Sequence, residues 1–174
     1  MINVIYNDFS YEILPKQLET FDKYCKILQW GRANPTRFLE EFIGLQFTDH
    51  QKYVLLSSWL PANVVWVCSR STGKSFMSAP LIMARSLLIP SHNTYIMGPT
   101  GSQAQETFTK LENLAKNNIA SVIGVSSFFL DECVRINAKA DPFTHDKSGF
   151  TVGLFNGSTV NTLNSVAKNI VGIR

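Results

Sequence analysis

No long apolar run occurs in this sequence. The best candidate, APLIMARSLLIP (79–90), is broken by Arg85, Pro80 and Pro90 and falls short of the roughly 20 residues of a membrane span. The opening residues, MINVIYNDFSYEILPKQ, lack a basic segment followed by an apolar stretch, so no signal peptide is expected. Cysteine is scarce. Cys25, Cys68 and Cys133 are odd in number and far apart, which fits reduced thiols in a cytoplasmic protein better than a disulfide framework or a zinc site. His50, His92 and His145 are equally scattered, without ligand spacing. Strong charge is missing too. A net charge of +3 permits a nucleic-acid partner without arguing for one, because a dedicated binding domain carries a larger basic excess. Internal repeats and low-complexity tracts are absent.

What remains is a globular composition, 45% hydrophobic and 17% charged. A chain of 174 residues suits one soluble domain that buries about two-thirds of its unfolded surface. PKQLETFDKYCKILQW (15–30) spaces its apolar residues for one helix face, and Gly31 is expected to stop it. Asn34-Pro35 then opens a short helix that Gly44 closes. From Phe47 the pattern changes. A helix from Thr48 to about Trp59 precedes strand Val64–Val67, and a helix from Lys74 to about Leu88 follows, with a bend expected at Pro80. Strand TYIMG (94–98) leads into a helix from Thr100 to about Asn117, and a less regular helical stretch covers ASVIGVSSFFLDEC (120–133). Asn156-Gly157 sits between extended segments, the strongest short-range hairpin signal. This order implies an α/β fold with parallel core strands and right-handed crossovers. Residues 1–46 read as a helical lead segment and 47–174 as the main domain.

The stretch that carries chemistry is VVWVCSRSTGKS (64–75). A Gly-Lys-Ser triplet alone arises by chance in a chain this long about one time in ten. A strand before it and a helix after it raise its meaning, because loop N–H groups and the helix N-terminus then converge on one anion. Gly73 would let the backbone approach phosphate, Lys74 would reach the β/γ oxygens, and Ser75 would ligate Mg²⁺. Ser69, Ser71 and Thr72 complete the ATP-binding loop, and Cys68 takes the place of its usual first glycine. Arg70 is either a surface arginine in an ion pair or a cis arginine finger at the γ-phosphate.

Thr48-Asp-His-Gln51 and Thr100-Gly-Ser-Gln103 each fit a capping box. Gln51 could instead contact an adenine edge, as a glutamine upstream of the loop does in helicase-like ATPases. FFLDE (128–132) has the form of a Walker B strand, with Asp131 on Mg²⁺ and Glu132 activating water. Its apolar run is short, however, and Ser126 and Ser127 precede it. It also comes before the Asn-Gly hairpin, so an amphipathic helix with solvated acids is the favoured reading.

Residues 30 to 174 resemble the ATPase domain of the large terminase subunit of tailed bacteriophages, the motor that packages DNA into the procapsid. The resemblance is carried by WGRANPTRFLEEFIGLQFTDHQKYVL, CSRSTGKS, LLIPSHNTYIMGPTGSQAQE and NGSTVNTLNSVAKNIVGIR, four pieces in the right order. It implies a P-loop NTPase of the ASCE, RecA-like type with a largely parallel sheet, reached here only as far as the segment before the Walker B strand. It also implies ATP and Mg²⁺ as cofactors, catalytic roles for Arg70 and Lys74, and adenine sensing by Gln51. Thr100 and Gln103 would couple nucleotide state to DNA movement. Ser71 and Val171 depart from residues common in that family. The implied partners are double-stranded DNA, a portal protein, a small terminase subunit and further copies in a ring, in the host cytoplasm during virion assembly. ATP hydrolysis would belong to the longer protein, with this chain alone expected to be inactive. A helicase-like translocase fragment and a non-catalytic product of a split or decayed terminase gene are the alternatives.

Overall fold

A computed structural model describes residues 2–6, 9–13, 15–61, 63–69, 73–116, 128–137, 140–147 and 149–164. The chain divides into two compact units, Met1–Asn34 and Pro35–Arg174. In the first, strands β1 (Ile2–Tyr6) and β2 (Phe9–Ile13) pair antiparallel, from Ile2↔Ile13 to Tyr6↔Phe9, a hairpin the sequence reading did not anticipate. Helix α1 (Pro15–Ala33) follows, starting on a proline whose missing N–H would be unsatisfied there anyway. Gly31 does not stop it. A helical glycine costs only about 1 kcal/mol, and the chain leaves the helix at Asn34, just before Pro35. The Asn34 side-chain amide donates to the Trp30 carbonyl at 3.1 Å and satisfies that end.

The second unit opens with α2 (Pro35–Phe38) and one π-helical turn, Leu39–Ile43, which ends at Gly44 in the left-handed conformation (φ 75°). Helix α3 (Asp49–Trp59) and helix α4 (Lys74–Leu88) come next, and α4 runs on through buried Pro80. Strand β3 (Asn93–Gly98), helix α5 (Gly101–Lys116), a short turn α6 (Phe128–Asp131) and strands β4 (Thr144–Asp146), β5 (Gly149–Gly153) and β6 (Thr159–Asn164) complete it. Residues 120–127 of the expected helical stretch and residues 165–174, with Val171, lie outside the described residues. The acids of FFLDE sit on and just after α6, not on a strand.

The sheet runs β3-β6-β5-β4, and the expectation of a largely parallel sheet is corrected here. Only β3 and β6 are parallel; β5–β6 and β4–β5 are antiparallel. Tight hairpins join both antiparallel pairs, and a hairpin cannot join parallel strands. Asn156-Gly157 makes one of them. Leu154 N–H donates to the Ser158 carbonyl at 2.8 Å and Gly157 is left-handed (φ 83°), the three-residue loop with a glycine bulge.

The second correction concerns Val64–Val67, which is not a strand. It pairs with no described strand, and Val65 and Val67 are 86% and 94% exposed. β-propensity is realised only against a neighbouring strand, and no described strand lies beside it.

The core lies between the sheet and its helices. Along β3, Ile96 is buried while Tyr95 and Met97 are exposed, the alternation of a sheet covered on one face. α5 covers that face with Ala104, Phe108, Leu111 and Ala115. Phe108 meets Phe143 and Phe150 edge-on at 5.9 and 5.8 Å between centroids. Phe38 stacks on Phe42, and both contact Phe128, which ties the start of the unit to α6. Among the described residues, no helix is long and apolar enough to cross a membrane.

Candidate functional site

The phosphate-loop motif meets the fold at Gly73. This residue is left-handed (φ 79°, ψ 21°) and stands just before the first turn of α4, with its carbonyl accepting from Met77 N–H at 2.9 Å. The N-cap residue of α4 makes no side-chain cap hydrogen bond. The first N–H groups of α4 therefore have no intrahelical partner and no cap among the described residues, and the helix dipole adds about half a positive charge there.

Lys74 reaches back to the chain ahead of residue 70. Its ammonium donates to the Cys68 carbonyl at 3.0 Å and to the Ser69 carbonyl at 2.7 Å. An ammonium has three donors, so one remains among the described contacts. Ser75 lies in the first turn of α4. Arg70, Ser71 and Thr72 lie outside the described residues. The motif thus has its following helix but not the paired strand expected in front of it.

Gln51 is half-buried and occupied by the capping box. Its Oε1 accepts from Thr48 N–H at 3.0 Å, and its own N–H donates to Thr48 Oγ1 at 3.4 Å. The second expected capping box does not form. Gln103 N–H donates to the Thr100 backbone carbonyl at 3.1 Å, and the Thr100 hydroxyl bonds Ser102 Oγ at 3.0 Å instead. Gly98 explains that tight turn. A Cβ there would lie 3.0 Å from both Ala104 N and the Thr100 carbonyl oxygen. Thr100 and Gln103 are exposed at the start of α5.

No protein-family model matches this chain, and no curated protein sequence matches it. The case for a ligand therefore rests on the residues themselves. At the junction lie a left-handed glycine without Cβ, helix N–H groups that no described side chain caps, and a lysine turned back onto the Cys68 and Ser69 carbonyls, groups of the kind that bind an anion. Among the described residues, no group of three or more His, Cys, Asp or Glu could hold a metal ion. Mg²⁺ bound with a nucleotide does not need such a cage, since phosphate oxygens and water supply most of its ligands.

Sequence reasoning missed two charged groups. Arg85 joins α4 to the end of α3, donating from Nη2 to the carbonyls of Ser58 (2.9 Å) and Trp59 (3.2 Å). Its signal was visible as the one charge inside an apolar helix. The second group is centred on Glu112, a buried carboxylate on α5. Lys116 Nζ lies 2.6 Å from Glu112 Oε1 and 2.6 Å from Asp141 Oδ2, and His145 Nε2 lies 2.8 Å from Glu112 Oε2. The i,i+4 spacing of Glu112 and Lys116 is visible in the helix, but nothing in the local sequence shows that Asp141 and His145 meet them. Cys133 is buried, which pushes its thiol up to about 12, so it is no nucleophile at neutral pH.

Proposed function

We propose that this chain binds a nucleoside triphosphate with Mg²⁺ through residues 68–75, as the nucleotide-binding part of a viral DNA-packaging motor ATPase of the large-terminase type. The observation that carries the reading is the Lys74 ammonium drawn onto the Cys68 and Ser69 carbonyls beside left-handed Gly73. In this reading Lys74 holds the loop closed and offers its remaining N–H to a β- or γ-phosphate oxygen. The first N–H groups of α4 bind the same phosphates, Ser75 holds Mg²⁺, and Arg70 approaches the γ-phosphate. Mg²⁺ supplies charge neutralisation, which dominates phosphoryl transfer along with positioning. Gln51 would contact adenine only by leaving its capping bond to Thr48. Thr100 and Gln103, at the turn after β3, are the candidates that couple nucleotide state to movement of double-stranded DNA. The P-loop NTPase fold, a portal protein, a small terminase subunit and a homo-oligomeric ring belong to the same proposal.

The test is calorimetric titration of Mg·ATP into the chain and its Lys74→Ala variant. Affinity is expected to fall at least tenfold in the variant, because both the loop brace and a phosphate contact are lost. Equal affinity in the two proteins would remove the phosphate-loop assignment.

A further inference from the structure

Asn156 is the one asparagine in the chain that a glycine follows. Such a bond is chemically labile, because a glycine nitrogen, with no β-carbon to shield it, can attack the asparagine side-chain carbonyl. The fold nonetheless requires this pair. Gly157 is left-handed (φ 83°), and a Cβ there would lie 3.2 Å from Ser91 Oγ. Asn156 supplies the side-chain amide that fastens the β5–β6 hairpin tip to the C-terminal end of α4.

Every atom that would react is held in the folded tip. The Gly157 N–H donates to the Leu154 carbonyl at 3.0 Å. Asn156 Oδ1 accepts from Ser158 N–H at 3.0 Å, and Nδ2 donates to the Ser86 and Leu87 carbonyls at 2.7 and 3.2 Å. The main chain is docked as well. The Asn156 carbonyl accepts from Ser91 N–H at 3.1 Å. Ser158 Oγ donates to the Ile89 carbonyl at 3.0 Å and accepts from His92 N–H at 3.1 Å. Expelling Nδ2 breaks both of its bonds, and freeing the Gly157 nitrogen breaks a third. Water has access to the tip, since Asn156 is half-buried and Gly157 exposed.

We propose that Asn156-Gly157 is a site of spontaneous covalent modification, held off while the tip is docked on α4 and blocking its return once it has occurred. In the first step Gly157 N bonds to Asn156 Cγ, the Cγ–Nδ2 bond breaks, and Nδ2 leaves as ammonia carrying the Gly157 proton. Water then adds across either C–N bond of the cyclic imide. Cleavage on the side-chain side leaves aspartate, and cleavage on the main-chain side leaves isoaspartate with an extra methylene in the backbone. Either carboxylate lacks the N–H groups that the Ser86 and Leu87 carbonyls receive and faces the negative end of α4. Isoaspartate also spoils the register of the loop that Leu154 N–H closes on the Ser158 carbonyl. Opening permits the reaction, and the reaction prevents closing. None of this depends on a bound nucleotide.

The experiment follows residue 156 by peptide-mapping mass spectrometry in the full chain, kept at mildly alkaline pH either in buffer or in guanidinium chloride. Conversion is expected to be at least tenfold slower in buffer, because only the opened tip reacts. Gly157→Ala should lose most of the conversion in guanidinium, a readout that does not require the variant to fold. Ser158→Ala removes two docking bonds and should speed conversion in buffer at least threefold, with no change in guanidinium. The converted chain, separated by its added negative charge, should exchange the Ser91 and His92 amide hydrogens at least tenfold faster than the parent. Equal or faster conversion in buffer, none in guanidinium, an undiminished rate in Gly157→Ala, a parent-like rate of Ser158→Ala in buffer, or parent-like exchange at both amides would each overturn the proposal.

Discussion

Asn156 does two jobs with one amide. Its Nδ2 donates to the Ser86 and Leu87 carbonyls at 2.7 and 3.2 Å, at the C-terminal end of α4, while its Oδ1 accepts from Ser158 N–H at 3.0 Å. The hairpin tip is thereby fastened to the helix that begins at the candidate phosphate loop. Asn156→Ala leaves carbonyls of α4 without their donor and should cost about 1–2 kcal/mol in denaturant unfolding. Asn156→Asp should be worse than alanine at neutral pH, since a carboxylate cannot donate and faces the negative end of a helix. His92 adds a pH dependence at the same corner. Its folded-state pKa is lowered, so the unfolded chain takes up a proton first as pH falls. Stability is expected to be full above the ordinary imidazole value and to decline below it, until the lowered folded value is reached. His92→Gln should flatten that part of a Tm-against-pH curve.

At the scale of elements, α5 is held to the β4–β5 hairpin by the Glu112–Lys116–Asp141–His145 cluster and by the rings around Phe108. Burial alone would lower Lys116, but its hydrogen bonds and charge contacts with Asp141 and Glu112 outweigh this and raise it. Burial likewise pushes Asp141 up, and the Lys116 hydrogen bond, the Phe143 N–H bond and the charges of Lys116 and His145 together more than reverse it. The contribution of Asp141 is therefore present above the ordinary carboxylate value and lost as pH falls through its lowered one. That of Lys116 is present below the ordinary lysine value and lost as pH rises through its raised one. Stability should be flat with respect to this pair between those limits. The Lys116–Asp141 contact is solvent-screened and worth at most about 1 kcal/mol. Lys116→Met also strips a partner from buried Glu112, so a loss of about 1–3 kcal/mol near neutral pH is expected, shrinking in acid. An unchanged denaturation midpoint would show that His145 alone satisfies Glu112.

Taken as a whole molecule, the parts that could be read from sequence are those set by local chemistry. The capping box at Thr48, the glycine stop at Gly44, the apolar face of α5 and the Asn-Gly turn depend on residues within a few positions of each other. Sheet direction and the contacts of Glu112 and Lys116 with His145 and Asp141 depend on pairings across tens of residues, which no spacing rule encodes. Val64–Val67 shows the difference most clearly, having strand propensity but no described strand to pair with. Val65→Thr and Val67→Thr should accordingly leave Tm within about 2 °C while raising solubility, since exposed positions contribute little packing. The candidate site was legible as a motif, but the brace from Lys74 to the Cys68 and Ser69 carbonyls was not, because no spacing rule directs a lysine side chain to backbone carbonyls five and six positions back. The most direct test of the account is a ¹H–¹⁵N spectrum of the chain titrated with Mg·ATP. The account predicts that the largest shifts fall on the amides of Ser69 and Gly73 to Met77 and disappear in Lys74→Ala. Shifts centred on the Arg85 end of α4, or none at all, would contradict it.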